Sequence, residues 1–278
     1  MFKVHEEKLK TVSKVNGFTL IELLTVVAII TLLMSILMPV LAKVRQQAKT
    51  VVCQAGLKQW GIIWSMYVND RNGFFPTWKW IPTGPNRSWP ETLRLIYKEP
   101  KIRCCPEATQ PMYVESGTTT GMRAPHAAWG KFSGRYPGYE TRGDYGSYGY
   151  NGWAGNDEDA TFLGPTDATN WKTPNVKNAK DVPIFLDATW MVAWADSRDE
   201  APLYEGDPTF YANGHFMGVD MFPWCTNRHR NFYNNGLFLD WSVRKVSLKE
   251  MWRLKWHKKY NVNDSPSVWP EWLKKCPK

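Results

Sequence analysis

The chain has 278 residues, 43% hydrophobic and 22% charged, with 20 glycines and 19 prolines. That apolar share excludes a wholly disordered chain, and so little Gly and Pro excludes a fibrous or low-complexity one. A mean hydropathy of -0.45 excludes a polytopic membrane protein but leaves room for one apolar span within a polar average. The net charge of +9 is concentrated near the end, where Asn227 to Lys278 hold twelve Lys/Arg against four Asp/Glu. Such a basic segment is either a solvated face or a surface for anionic partners, and the solvated face is the simpler reading.

Residues 1–17 form a short leader, with Lys3, Lys8, Lys10 and Lys14 against Glu6 and Glu7. From Phe18 to Leu41 the only ionisable residue is Glu22. About 20 mainly apolar residues suffice for a helix to cross the hydrocarbon core, and this run supplies them. The leader lysines favour a cytoplasmic N-terminus, while Lys43, Arg45 and Lys49 beyond the run oppose that orientation. A cleaved secretory signal fits Val40-Leu41-Ala42 but has an apolar core of only ~7–15 residues. A static anchor accounts for the length, with Glu22 snorkelling to the headgroups. Neither gives Glu22 a task, although a charge at a membrane-helix centre costs on the order of 3 kcal/mol and is usually functional and paired.

Gly17-Phe18-Thr19-Leu20-Ile21-Glu22 resembles the processing site of type IV prepilins and type II secretion pseudopilins. The resemblance implies that a membrane peptidase cuts between Gly17 and Phe18 on the cytoplasmic side. Phe18 then becomes the N-methylated terminus, and Glu22 serves filament assembly. The physics agrees: a new amine at Phe18 and Glu22 of a neighbouring subunit neutralise each other if two helices are offset along their axes. Pro39 lacks an amide proton and is expected to kink the helix; its place late in the apolar run matches that family.

The helix is expected to run on to about residue 68. Leu41, Val44, Ala48, Val51/Val52, Ala55, Ile62/Ile63 and Met66 recur at spacings of three and four, a stripe suited to docking on a sheet. Asn69-Asp70-Arg71-Asn72-Gly73 stops it. The organisation is therefore a leader (1–17), an N-terminal helix (18–68, membrane-spanning over 18–41) and a globular head (69–278). In the head, Val182–Ala188, Met191–Ala195, Leu237–Asp240 and Ser242–Val246 read as strands. The Gly-, Tyr- and Asn-rich stretch from Gly134 to Gly155 reads as a loop excursion. The fold class expected is α+β, a long helix packed on a mainly antiparallel, pilin-like head.

Further segments are similar to large-headed prepilin-like proteins: Cys53-Gln54-Ala55-Gly56-Leu57-Lys58-Gln59, Met66-Tyr67, Phe75-Pro76, Cys105-Pro106, Tyr148-Gly149-Tyr150-Asn151 and Val182-Pro183-Ile184-Phe185-Leu186-Asp187. Asn227-Arg228-His229 followed by Gly236-Leu237-Phe238-Leu239-Asp240 resembles the H-x9-D-G signature near the end of that group. Here ten residues separate His229 from Asp240, and Trp241 stands where Gly is usual.

His229 and Asp240 can be read as a structural hydrogen-bonded pair, a metal site or a catalytic couple; the structural pair is preferred, because no nucleophile motif accompanies them. Signatures of nucleotide-binding loops, zinc peptidases and α/β-hydrolases are lacking, so no enzyme is expected. His5, His126, His215 and His257 stand singly. In the acidic turn Asn156-Asp157-Glu158-Asp159, Asp157 and Asp159 are candidate calcium ligands, against the alternative of a solvated turn. No other cofactor is expected. Cys53, Cys104, Cys105, Cys225 and Cys276 allow one or two disulfides in an oxidising compartment. With no C-x-x-C, neither zinc nor a dithiol motif is expected.

Sixteen tryptophans include Trp78/Trp80, Trp190/Trp194 and Trp252/Trp256. The last pair sits on a basic segment and either packs a helix onto the head or stacks on glycan, lipid headgroup or single-stranded DNA. Packing is preferred, and nucleic acid is not expected as a partner. The functional expectation is a pseudopilin or pilin subunit of a type II secretion-like or type IV pilus-like filament. Its partners would be copies of itself, other pseudopilins, the prepilin peptidase, an inner-membrane assembly platform and inner-membrane lipid. Its place would be the bacterial inner membrane, with the head in the periplasm or in an extracytoplasmic filament. The alternative is a membrane-anchored envelope protein with a Trp-rich carbohydrate-binding head.

Overall fold

The computed structural model describes residues 18–77, 89–111, 125–130, 144–156, 168–205 and 221–277. The chain divides into two compact units, Met1–Arg45 and Gln46–Lys278. One helix, α1 (Leu20–Asn69), contributes to both and continues through Pro39. The division falls inside the helix, not at its end, because residues from Thr50 onward bury side chains in the second unit.

In the first unit the large apolar side chains from Phe18 to Val44 are exposed. An 18-residue window of α1 reaches a mean hydropathy of 2.6, making it long and apolar enough to cross a membrane.

The second unit is an α+β domain. Its short elements are α2 (Trp89–Leu93), β1 (Trp129–Gly130), β2 (Tyr145–Gly146), β3 (Tyr148–Asn151), β4 (Pro183–Asp187), β5 (Val192–Ala193), β6 (Tyr233–Phe238), β7 (Val243–Ser247) and α3 (Glu271–Lys274). Five strands form one sheet in the order β5-β3-β4-β6-β7. The β3–β4, β4–β6 and β6–β7 pairings are antiparallel, and β5 joins β3 in parallel. The small β1–β2 ladder stands apart from it.

Each sheet face has its own core. Cys53, Leu57, Trp60, Ile63, Trp64, Tyr67 and Val68 of α1 pack on Tyr148, Tyr150, Phe185 and Leu237. On the opposite face Leu186, Phe238 and Val246 meet Trp224, Met251, Trp252 and Trp256. Phe185/Leu186 and Leu237/Phe238 thus show the two-residue alternation of strands covered on both sides. Gly61 permits the close approach of α1, since a Cβ there would lie 3.0 Å from Leu237 Cδ1. Three hydrogen bonds fix the register of the helix: Gln54 Nε2 to Asn235 Oδ1 (3.0 Å), Lys58 Nζ to the Trp241 carbonyl (2.8 Å) and Trp60 Nε1 to the Ile102 carbonyl (2.8 Å).

The structure corrects three sequence expectations. Only part of the expected aliphatic stripe of α1 docks: Ile63 is buried, but Val51, Val52, Ile62 and Met66 are more than half exposed. The helix instead turns Trp60, Trp64 and Tyr67 inward, where aromatic rings bury the larger area. Tyr148–Asn151, read as part of a loop, is a wholly buried interior strand; the rest of that stretch up to residue 143 lies outside the described residues. Strand β6 begins at Tyr233, four residues before the expected start, because Tyr233–Gly236 pair with Arg244–Ser247 of β7, and Asn234 Nδ2 donates to the Asp187 and Trp224 carbonyls at 2.8 and 2.7 Å. The other expected strands stand near their predicted places, β5 much shortened.

Candidate functional site

Among the described residues, two sites hold the groups that carry chemistry. At the start of α1, the Thr19 amide and hydroxyl donate to Glu22 Oε2 at 2.8 and 2.7 Å, and the Glu22 amide donates to Thr19 Oγ1 at 3.3 Å. This is a capping box, satisfying helix-end donors that apolar surroundings would leave unpaired. Phe18 and its apolar successors are exposed around it.

The second site lies on the α1 face of the sheet, wholly within residues 46–278. Cys53 comes from α1, Cys105 from the loop after the turn of 3-10 helix Pro100–Arg103, Asp187 from the end of β4 and His229 from the turn before β6. One sulfur, nitrogen or oxygen atom from each lies within 4.8 Å of all the others. His229 Nε2 is 3.0 Å from Asp187 Oδ2 and 3.4 Å from Cys105 Sγ, and Cys53 Sγ donates to Asp187 Oδ2 at 3.3 Å. Cys53, Cys105 and Asp187 are fully buried and His229 is 6% exposed.

Surrounding groups fix this geometry. The Thr50 hydroxyl donates to the Gln46 carbonyl at 3.1 Å, so at 3.3 Å from His229 Nδ1 it accepts. Nδ1 therefore carries a proton, and Nε2 faces the cluster. Tyr148 Oη donates to Cys53 Sγ at 3.4 Å, the Glu107 amide to Cys105 Sγ at 3.5 Å, and the Cys105 amide to Ser147 Oγ at 2.5 Å. The buried Arg228 guanidinium donates to the carbonyls of Pro125, Ala127, Ser147 and Ala188, with Nη1 3.6 Å from Asp187 Oδ1. Arg230, Asn231 and Phe232, directly after His229, all have left-handed backbone, φ 58°, 56° and 62°. Such backbone is costly outside glycine and persists where the surroundings hold it; here Asn227 Oδ1 accepts from the Phe232 amide at 2.8 Å.

The electrostatics follow from burial and pairing. Burial opposes a charged imidazole, but the hydrogen bond to Asp187 prevails and pushes His229 up to about 10. Burial would raise Asp187, yet His229 and Arg228 hold it below the usual carboxylate range. Burial pushes the Cys53 thiol well up, whereas hydrogen bonds from Cys53 and His229 hold Cys105 low in spite of burial. All five cysteines are free thiols.

His229 is therefore paired, but not with Asp240. That carboxylate is exposed in the β6–β7 turn and accepts from the Ser242 amide and hydroxyl at 3.0 and 2.6 Å. Asp240 lies two positions beyond the end of β6 at Phe238, in the exposed turn, whereas β4 ends with Asp187 aimed at α1. Trp241, at the position where the resembled signature has Gly, has φ 64°, a conformation that favours Gly. Gly17, Trp78, Trp80, His5, His215 and the calcium candidates Asp157 and Asp159 lie outside the described residues. His126 is exposed, and His257 is buried beside Trp153. Trp190, Trp252 and Trp256 are 2%, 0% and 0% exposed and offer no face to a sugar. Trp252 stands on a turn of 3-10 helix, Glu250–Arg253, and not on an α-helix.

No curated protein and no solved structure matches the chain. Residues 12–38 match the model of the prokaryotic N-terminal methylation motif. With the long apolar helix behind it, the chain opens with a prepilin-type methylation motif and fits a pilin-like, membrane-anchored protein.

Proposed function

We propose that the chain is a non-enzymatic filament subunit, a pseudopilin or pilin cleaved after Gly17 and N-methylated at Phe18. The observation that carries this reading is the sleeve of exposed apolar side chains from Phe18 to Leu41 surrounding a single carboxylate, within residues matched by the methylation motif. A lone subunit keeps that sleeve in the inner membrane; a filament buries it against other copies. Glu22 has its hydrogen bonds from Thr19, but Thr19 is neutral, and among the described residues no cation pairs with the carboxylate. The amine of Phe18 on a neighbouring copy supplies one, which ties charge neutralisation to assembly. Pro39 loosens the helix where the apolar run ends.

The head stands in the periplasm or in an extracytoplasmic filament. The partners are copies of the chain, other pseudopilins, the prepilin peptidase and an inner-membrane assembly platform, in a type II secretion-like or type IV pilus-like machine. The test is fractionation of filaments sheared from a host expressing a head-tagged chain, compared with a host lacking the peptidase. The chain co-sediments with filaments only when the peptidase is present. Equal recovery in both hosts, or recovery only in the membrane fraction, contradicts the reading.

A further inference from the structure

We propose that Cys53 Sγ, Cys105 Sγ, Asp187 Oδ2 and His229 Nε2 are the four ligands of a structural zinc ion that clips α1 to the sheet. The donor set is the first argument. Two sulfurs, an imidazole nitrogen and a carboxylate oxygen suit a borderline metal in tetrahedral geometry and do not suit calcium or magnesium, which take oxygen. The distances are the second. Zinc bonds of about 2.0–2.3 Å in a tetrahedron place ligand atoms ~3.3–3.8 Å apart. The Cys53–Asp187 and Cys105–His229 separations, 3.3 and 3.4 Å, match that spacing. His229–Asp187 is shorter at 3.0 Å, and all four atoms lie within 4.8 Å of one another, so small side-chain shifts complete the tetrahedron.

The shell around the four ligands points the same way. Thr50 fixes the His229 tautomer that offers Nε2 as donor, the usual support of a metal-bound histidine. The Glu107 amide and the Tyr148 hydroxyl donate to the two sulfurs, as groups stabilising thiolates do. Asp187 Oδ1 is buried and accepts no hydrogen bond among the described residues, and the Arg228 guanidinium lies 3.6 Å from it. Two thiolates and one carboxylate around a dication leave a single negative charge, and the buried Arg228 guanidinium balances it. Binding expels the thiol protons of Cys53 and Cys105 and the Nε2 proton of His229 to solvent. With every ligand buried and four protein donors in place, no position is left open for substrate, so the ion's role is structural.

The ion would join four segments that are far apart in sequence, which is the arrangement in which a metal constrains the unfolded chain most. The test is the metal content of the full chain, extracted from membranes in detergent without chelator. The expected result is about one zinc per chain, as one tetrahedral site requires. It persists in Cys104→Ser, whose sulfur is outside the cluster, and is lost in Cys53→Ser and in His229→Gln. Wild-type chain exchanged with cobalt should show a thiolate-to-cobalt charge-transfer band and intense tetrahedral d–d bands, a readout needing no variant to fold. Iron or copper in place of zinc, no bound metal, or a Cys53–Cys105 disulfide in peptides mapped without reductant overturns the proposal. None of these results bears on cleavage or filament assembly.

Discussion

His229 Nε2 stands 3.0 Å from Asp187 Oδ2, and both side chains are sealed from solvent between α1 and the sheet. Removing one member of such a pair strands the other charge in a buried site, at a cost of about 3–5 kcal/mol. Asp187→Ala should therefore lower unfolding stability by that amount in urea titrations of the detergent-solubilised chain. Asp240→Ala, which loses only an exposed turn hydrogen bond, should cost under about 1 kcal/mol. Equal effects from the two substitutions would contradict the pairing.

At Trp241 two effects oppose each other. The residue adopts φ 64° and also packs near Phe75, with ring centroids 6.4 Å apart. Glycine and alanine lose the same ring contacts but differ in how readily they adopt left-handed backbone, by about 1 kcal/mol. Trp241→Gly should thus be more stable than Trp241→Ala by about that margin, checked by their denaturation midpoints at equal m-value.

The capping box makes the roles of Thr19 and Glu22 separable. Thr19→Val removes the hydroxyl that bonds Glu22 Oε2 while leaving the carboxylate charge. Glu22→Ala removes both. If the charge serves assembly, Glu22→Ala inserts in the membrane at least as well as wild type yet drops out of sheared filaments, while Thr19→Val is incorporated. Loss of both variants from filaments would assign Glu22 to helix capping alone.

Asp196 predicts the acid limb of stability. His257, with Nε2 3.7 Å from Oδ2, and Arg198, whose Nε donates to Oδ1 at 2.9 Å, hold the Asp196 carboxyl well below the usual carboxylate range. A carboxyl lowered in the folded state contributes stability above its unfolded value, about pH 4, and loses it as pH falls toward the folded one. Asp196→Asn should therefore flatten the decline of the thermal midpoint below about pH 4.

Much of the architecture was legible in the sequence because it rests on local signals. The apolar run, Glu22 and the turn at Asn69–Gly73 marked α1 within two residues at either end, and β-branched residues marked β4 and β7. The docking face of α1 is not legible in the sequence, because Val51, Val52, Ile62 and Met66 and the ring-bearing Trp60, Trp64 and Tyr67 both recur at helical spacing. Periodicity gives a stripe, and only the partner sheet decides which stripe is buried. The buried cluster was invisible for another reason. Local spacing reveals a metal or catalytic set when two donors share a turn, whereas Cys53, Cys105, Asp187 and His229 each come from a separate segment. All four nevertheless lie in segments that resemble prepilin-like proteins, and the sequence points to His229 but offers Asp240, not Asp187, as its partner. The positive-φ turn at Arg230–Phe232 carries no glycine to announce it.

The most direct measurement of the functional account is the mass of the N-terminal peptide of the chain isolated from a host with an active prepilin peptidase. The account predicts a peptide that begins at Phe18 and carries one added methyl group on its amine. A peptide that retains residues ahead of Phe18, or one that begins beyond Leu41, would contradict it.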